Sequence, residues 1–212
     1  MANQRDLLDV DWNRIPAPVD DGAATHLIGA KIPSIFLIAT DGRGIDLASL
    51  QGRTVVFAYP RTGEPGKPSP VDDWDMIPGA RGCTPQTCSF RDLFADLRAA
   101  GADHVFGLST QDTAYQREMA DRLHLPFAVL SDQTLALVRG MKLPTMQVAD
   151  MTLIKRLAWI SDNGRIAHVL YPVFPPDRNG PEVLAWLKAN PRRANRRDRR
   201  GRAQTRRETS SG

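Results

Sequence analysis

Thr54-Val55-Val56-Phe57-Ala58-Tyr59-Pro60 is a continuous β-branched and aromatic run closed by a proline. It lacks the apolar–polar alternation of a strand with one wet face, so it reads as a central strand covered on both sides. The chain around it supplies the covering layers. On the N-terminal side, Ser34 to Ile38 and Ile45 to Leu47 flank Asp41-Gly42-Arg43-Gly44, a hairpin signal because glycine permits the left-handed dihedrals of a tight turn. On the C-terminal side, Phe90, Leu93, Phe94, Leu97 and Ala100 recur at helical spacing, with Gly101 as a stop. Val105 to Ser109 then reads as a strand, Asp112 to His124 as a helix, and Phe127 to Leu130 as another strand. A second hairpin spans Leu157 to Ile160, the turn Asp162-Asn163-Gly164, and Ile166 to Tyr171; a helix from about Pro181 to Lys188 follows. This order predicts an α/β protein with a mixed central sheet flanked by helices and an N-terminal hairpin.

Outside that core the sequence divides into three unlike pieces. Residues 1–28 are polar with scattered proline and aspartate, an N-terminal arm, and residues 29–190 hold the domain. Residues 191–212 carry nine arginines against Asp198 and Glu208, so the net charge of +4 belongs to the tail and the rest is mildly acidic. Such a tail buries too little apolar surface to offset its ordering entropy and is expected to be disordered. Any contact it makes with nucleic acid or another acidic surface would be weak and salt-sensitive, with no aromatics to stack on bases. No stretch of 18 apolar residues predicts a membrane span, and the N-terminus lacks the pattern of a signal or transit peptide, so a cytoplasmic protein is expected. Residues 61–82 hold Gly63, Pro65, Gly66, Pro68, Pro70, Pro78, Gly79 and Gly82, which predicts a long irregular loop.

That loop leads into Arg81-Gly82-Cys83-Thr84-Pro85-Gln86-Thr87-Cys88, which contains the only two cysteines of the chain. A disulfide closing so short a loop would stabilise little, so thiol redox chemistry is the better reading. Cys83 falls at a helix N-terminus, where unpaired N–H groups and the helix dipole favour a thiolate; Cys88, further along, lacks that advantage. Cys83 is therefore the expected attacker and Cys88 the resolver. Five residues apart on a regular helix, their Cα atoms would stand about 8–9 Å apart, whereas a disulfide needs about 4.4–6.8 Å. If they bridge, the first turns of the helix must unwind. The plainer alternative is a pair of small apolar side chains in a core. A zinc site would need further ligands, and neither a second cysteine pair nor a nearby histidine cluster is present.

The sequence resembles the peroxiredoxin family, in the branch called bacterioferritin comigratory protein or peroxiredoxin Q. Val55-Val56-Phe57-Ala58-Tyr59-Pro60, Gly82-Cys83-Thr84-Pro85-Gln86-Thr87-Cys88-Ser89-Phe90-Arg91-Asp92, Val105-Phe106-Gly107-Leu108-Ser109 and Leu130-Ser131-Asp132 carry the likeness, which covers roughly Gly29 to Leu187. It implies a thioredoxin-like fold and a thiol peroxidase acting on hydrogen peroxide or organic hydroperoxides without metal, haem or other cofactor. The expected cycle passes through a Cys83 sulfenic acid and a Cys83–Cys88 disulfide. A thioredoxin-like or glutaredoxin-like donor would recycle it, in a monomer or dimer. The family's compact proline–threonine–cysteine motif is absent, since Ala80 and Met76 occupy the corresponding positions before Cys83. An insertion splitting the motif would leave Pro60 as the shield of the sulfur and Thr62 as the hydroxyl that hydrogen-bonds it. The family arginine, which precedes a strand of the late hairpin, corresponds to Arg156, with Arg81 and Arg91 as rivals nearer in sequence.

Two other functions share this chemistry. A peroxide or redox sensor would pass oxidation to a partner protein, and a dithiol–disulfide oxidoreductase would exchange with one; the absence of C-x-x-C argues against the latter.

Overall fold

The run that opens the sequence reading becomes β3 (Arg53–Ala58), with all six residues buried. The structure is a computed structural model describing residues 10–192. In it β3 lies parallel to β4 (His104–Ser109) and antiparallel to β8 (Leu157–Asp162), pairing Val56 with Phe106 on one side and Trp159 on the other. β1 (Phe36–Ala39), β2 (Gly44–Asp46), β5 (Val129–Ser131) and β9 (Arg165–Leu170) complete a mixed seven-stranded sheet of order β2-β1-β5-β4-β3-β8-β9. The predicted hairpins are β1–β2 and β8–β9. The second turns through Asn163 and Gly164, both at positive φ, where asparagine and glycine cost least.

The side-chain period of two sends β3 into two cores. Val55, Phe57 and Tyr59 meet α1 (Cys83–Asp92), α2 (Phe94–Ala99), α3 (Thr113–Arg122) and α5 (Asn179–Ala189) through Phe90, Leu97, Met119, Val183 and Leu187. Val56 and Ala58 meet Leu37, Leu130, Trp159 and α4 (Ala136–Met141) on the opposite side. Phe57 stacks on Phe90 at 4.1 Å between ring centroids, which ties the strand that leads into the long loop to the helix that begins with Cys83. Truncating either ring to alanine would cost about 3–5 kcal/mol.

Several details depart from the sequence reading. The helix expected to run through Ala100 breaks at Leu93, which ends α1 and starts α2. The spacing of buried residues survives the break, so periodicity does not reveal it. Three elements went unpredicted. α4 is six residues long and contains Gly140. β6 (Thr145–Val148) and β7 (Met151–Ile154) pair Val148 with Met151 around Ala149-Asp150, a turn without glycine or asparagine. The helix expected over 112–124 is shorter, with Asp112 capping it by accepting from Tyr115 N at 2.8 Å.

The long loop is irregular apart from a single 3-10 turn at Trp74–Met76, yet it is anchored. Trp74 and Ala80 pack on Val148 and Leu153 in a third apolar cluster against β6–β7. Ala24 and Leu27, placed in the arm by the sequence reading, are buried in the main core. The arm also carries Trp12 against Phe174, 6.0 Å between centroids in an edge-to-face arrangement. Residues 1–9 and nearly all of the arginine-rich tail lie outside the described residues.

Candidate active site

Cys83 is the first residue of α1, and the residue before it explains how the chain turns into that helix. Gly82 has φ of 101°, and a Cβ there would stand 2.5 Å from Pro176 Cγ and 2.8 Å from the Trp12 ring. Only glycine satisfies both the dihedral and the space. Cys83 and Cys88 are free and buried, 4% and 6% exposed. Cys88 sits in the apolar cluster with Phe57 and Phe90, and burial pushes its thiol up from the ordinary value, opposed in part by Arg91. Both lie within one unbroken helix, so the dithiol form has the geometry in which they cannot bridge.

Arg156, in the link between β7 and β8, is 2% exposed. Its Nη2 lies 3.3 Å from Cys83 Sγ and donates to the carbonyls of Gly79, Ala80 and Arg81 at 3.2, 3.2 and 2.9 Å. Its Nη1 donates to Gln86 Oε1. The Gln86 amide nitrogen in turn donates to Asn179 Oδ1 on α5 at 2.8 Å. Among the described residues no carboxylate pairs with Arg156. A buried guanidinium without a counter-charge is costly. Among the described residues that Arg156 hydrogen-bonds, Cys83 is the one whose contacting atom can carry a negative charge.

Beside this pair lies a cavity of about 160 Å³, lined in part by Cys83, Thr62, Trp74, Arg81 and Thr84. The chain matches the Redoxin family over residues 27–185. It belongs to the Redoxin family. Among individual proteins, this redoxin is 31% identical over 165 residues to the chloroplastic peroxiredoxin Q of Oryza sativa subsp. japonica; the match takes in 76% of this chain and 66% of that protein's length. It superposes on peroxidoxin BcpB from Mycobacterium tuberculosis with a TM-score of 0.61 at 22% identity, covering 76% of this chain and 96% of the other. The bacterioferritin comigratory protein of Xanthomonas campestris, whose alkyl peroxide reduction activity has been studied structurally, gives 0.59 at 20% identity, covering 74% and 92%. The shared architecture is the thioredoxin-like one that the family resemblance implied.

Within this redoxin, the other residues picked out by the sequence occupy unequal places. Thr62 is buried and lines the Cys83 cavity, but its hydroxyl donates to Gln111 Oε1 at 3.1 Å rather than to the sulfur. Gln111 also accepts from Thr62 N at 2.9 Å and donates to Thr62 O at 3.1 Å, so the residue is clamped on three sides. Pro60 is buried just past β3 and is absent from the cavity lining. Arg81 lines the cavity but is ion-paired to Asp75. Arg91 is directed away, to Asp92 and to Leu123 O. Among the described residues no cluster of three histidine, cysteine or acidic side chains could hold a metal.

Sequence reasoning missed Gln86, Asn179 and Gln111. Six of the first six residues of α1 are buried, so no polar face distinguishes the glutamine from a solvated one. Its position three residues after Cys83, one helical turn on, was the available signal.

Proposed function

We propose that the protein is a thiol-dependent peroxidase in which Cys83 is the nucleophile, Cys88 the resolving thiol and Arg156 the electrostatic partner of the reacting sulfur. The contact between the buried, carboxylate-free guanidinium of Arg156 and Cys83 Sγ carries this reading. The Cys83 thiolate attacks one peroxide oxygen, forming an S–O bond as the O–O bond breaks; the leaving oxygen takes a proton and departs as water or an alcohol. Arg156 and the first N–H groups of α1 face the charge that moves in this step. Cys88 then attacks the sulfenic sulfur, an S–S bond forms, the S–O bond breaks, and water leaves.

The second step requires the start of α1 to come apart. Gly82 gives the helix no side-chain cap, so its first turn is held locally by the bonds of Gln86 N to Gly82 O at 3.0 Å and Thr87 Oγ1 to Cys83 O at 2.9 Å, and otherwise by tertiary contacts. Unwinding breaks the Gln86–Asn179 bond and the contact of Gly180 N with Ser89 Oγ at 3.2 Å. A thioredoxin-type dithiol returns the disulfide to the thiols, which suits a reducing compartment such as the cytoplasm. Among the described residues no helix is long and apolar enough to cross a membrane. Thr62, in this scheme, shapes the cavity wall through Gln111.

Stopped-flow tryptophan fluorescence of the reduced protein mixed with hydrogen peroxide tests the scheme, repeated with Cys83→Ser, Cys88→Ser and Arg156→Met and followed by intact mass. A fast phase lost in Cys83→Ser, a two-hydrogen mass loss in the unmodified protein and a stable sulfenic acid in Cys88→Ser are expected. Reaction no faster than that of a free thiol would overturn it.

A further inference from the structure

The guanidinium of Arg156 is fully engaged at one end and idle at the other. Its Nη atoms meet Cys83 Sγ, Gln86 and the loop carbonyls, whereas Nε is buried with no hydrogen-bond partner among the described residues. A separate cavity of about 100 Å³ is lined by Arg156 and Gly79 but not by Cys83, and Pro18 and Val19 of the N-terminal arm form part of its wall. That is room for water. Hydration there would weaken the pull of Arg156 on the sulfur, because a charge acts most strongly in dry surroundings.

The arm reaches the segments that hold the Cys83–Arg156 pair at several points. Trp12 packs against Gly82, the residue before Cys83, and Pro18 lies against Gly79, whose carbonyl accepts from Arg156. Asp21 accepts from Lys155 Nζ at 2.6 Å and from the Tyr171 hydroxyl at 2.7 Å. Lys155 directly precedes Arg156, Tyr171 directly follows β9, and both line the cavity. The bonds from Lys155 and Tyr171 hold the Asp21 carboxyl well below the usual carboxylate range, so this clasp keeps its charge at neutral pH. A lone exposed ion pair holds little, but here one carboxylate fastens the arm to two segments at once. All of these arm residues precede the span 27–185 that matches the family.

Resting on the peroxidase reading, we propose that the N-terminal arm is a wall of the active site and that Asp21 is a positioning residue, whose clasp on Lys155 and Tyr171 closes the cavity against water and keeps the Arg156 guanidinium on Cys83 Sγ. The consequence runs against the charge of Asp21 itself. An anion near a thiol opposes its ionisation, so removing Asp21 would favour the Cys83 thiolate by direct electrostatics. Opening the clasp instead lets Arg156 hydrate and slip, which disfavours the thiolate.

The test uses the reduced full-length protein, Asp21→Ala, Lys155→Met and the double variant. It measures the rate of Cys83 oxidation by hydrogen peroxide and the pH midpoint of Cys83 alkylation by iodoacetamide, the latter read by peptide mass. The groups facing Cys83 are Arg156, the Asp75–Arg81 pair in its cavity, and Tyr59 and Cys88 in its apolar cluster, and every variant retains them. Each single variant should oxidise about fivefold more slowly, with a higher alkylation midpoint, and the double variant should be no slower than the slower single. A wild-type rate in Asp21→Ala, or a lower midpoint, alongside fast oxidation of the unmodified protein would overturn the role of the arm and leave the peroxidase standing. Losses that multiply in the double variant would overturn the route through Lys155. Slow oxidation of the unmodified protein would overturn both readings.

Discussion

Gln86 and Asn179 form a buried 2.8 Å hydrogen bond that joins the first turn of α1 to the start of α5, and the other end of the same Gln86 amide receives Arg156 Nη1. One side chain thereby holds the guanidinium at the sulfur and also holds the helix that the proposed resolution step unwinds. Replacing Gln86 by leucine leaves a charged donor and an amide without partners in a dry site. Each such loss costs about 1–3 kcal/mol, and release of Arg156 should slow sulfenic acid formation about tenfold or more. Chemical denaturation and stopped-flow oxidation of Gln86→Leu check both; a loss of stability with an unchanged oxidation rate would show that Arg156 keeps its place without Gln86.

Asn179→Ala separates the two roles. It removes the anchor on α5 but keeps Gln86 on Arg156. The oxidation phase should stay within about threefold of its original rate, while disulfide formation should accelerate because α1 opens more readily. Following the mass of the oxidised species over time distinguishes the two steps.

Thr62→Val tests which partner its hydroxyl serves. The hydrogen goes to Gln111, and Thr62 N still donates to the same oxygen after substitution. A stability loss of about 0.5–1.5 kcal/mol and an oxidation rate within about threefold of the original are expected. A fall of about a hundredfold in rate would instead place the hydroxyl on the peroxide.

The pH dependence follows from Cys88. Burial raises its thiol above the ordinary 9.0, so the folded protein retains this proton to higher pH than the unfolded chain does. The stabilisation from burying the neutral thiol is complete below 9.0 and is lost as pH rises through the higher folded value. Reduced protein should therefore lose Tm above pH 9 more steeply than Cys88→Ala. Attack on the sulfenic acid needs the thiolate, so the resolution phase should also accelerate with rising pH. Parallel Tm curves for the two proteins would refute the first expectation.

Gly82→Ala should be among the more damaging substitutions near the site. The new Cβ meets Pro176 and the Trp12 ring, and the residue is held at positive φ. A loss of about 1–3 kcal/mol and a displaced Cys83, seen as slower oxidation, are expected from thermal melts and stopped-flow measurements.

The division between what was legible and what was not follows the range of the forces involved. β3 could be read because a continuous apolar run records burial on both faces, and the Asn163-Gly164 turn because positive φ selects those residues locally. The β6–β7 hairpin could not, since Ala149 adopts its positive φ under tertiary constraint rather than by preference. The long loop read as irregular because of its prolines and glycines, but nothing local showed that Trp74 would fasten it to that hairpin.

At the site, the sequence by itself determined the pair of thiols, their spacing, and the placement of Cys83 at the start of a helix, because those are properties of adjacent residues. Only the tertiary structure decided that Arg156, 73 positions away, brings its guanidinium to the sulfur and that Thr62 turns its hydrogen to Gln111. Those partners are chosen by the unmet hydrogen-bonding capacity of buried groups, which depends on what the fold packs around each one.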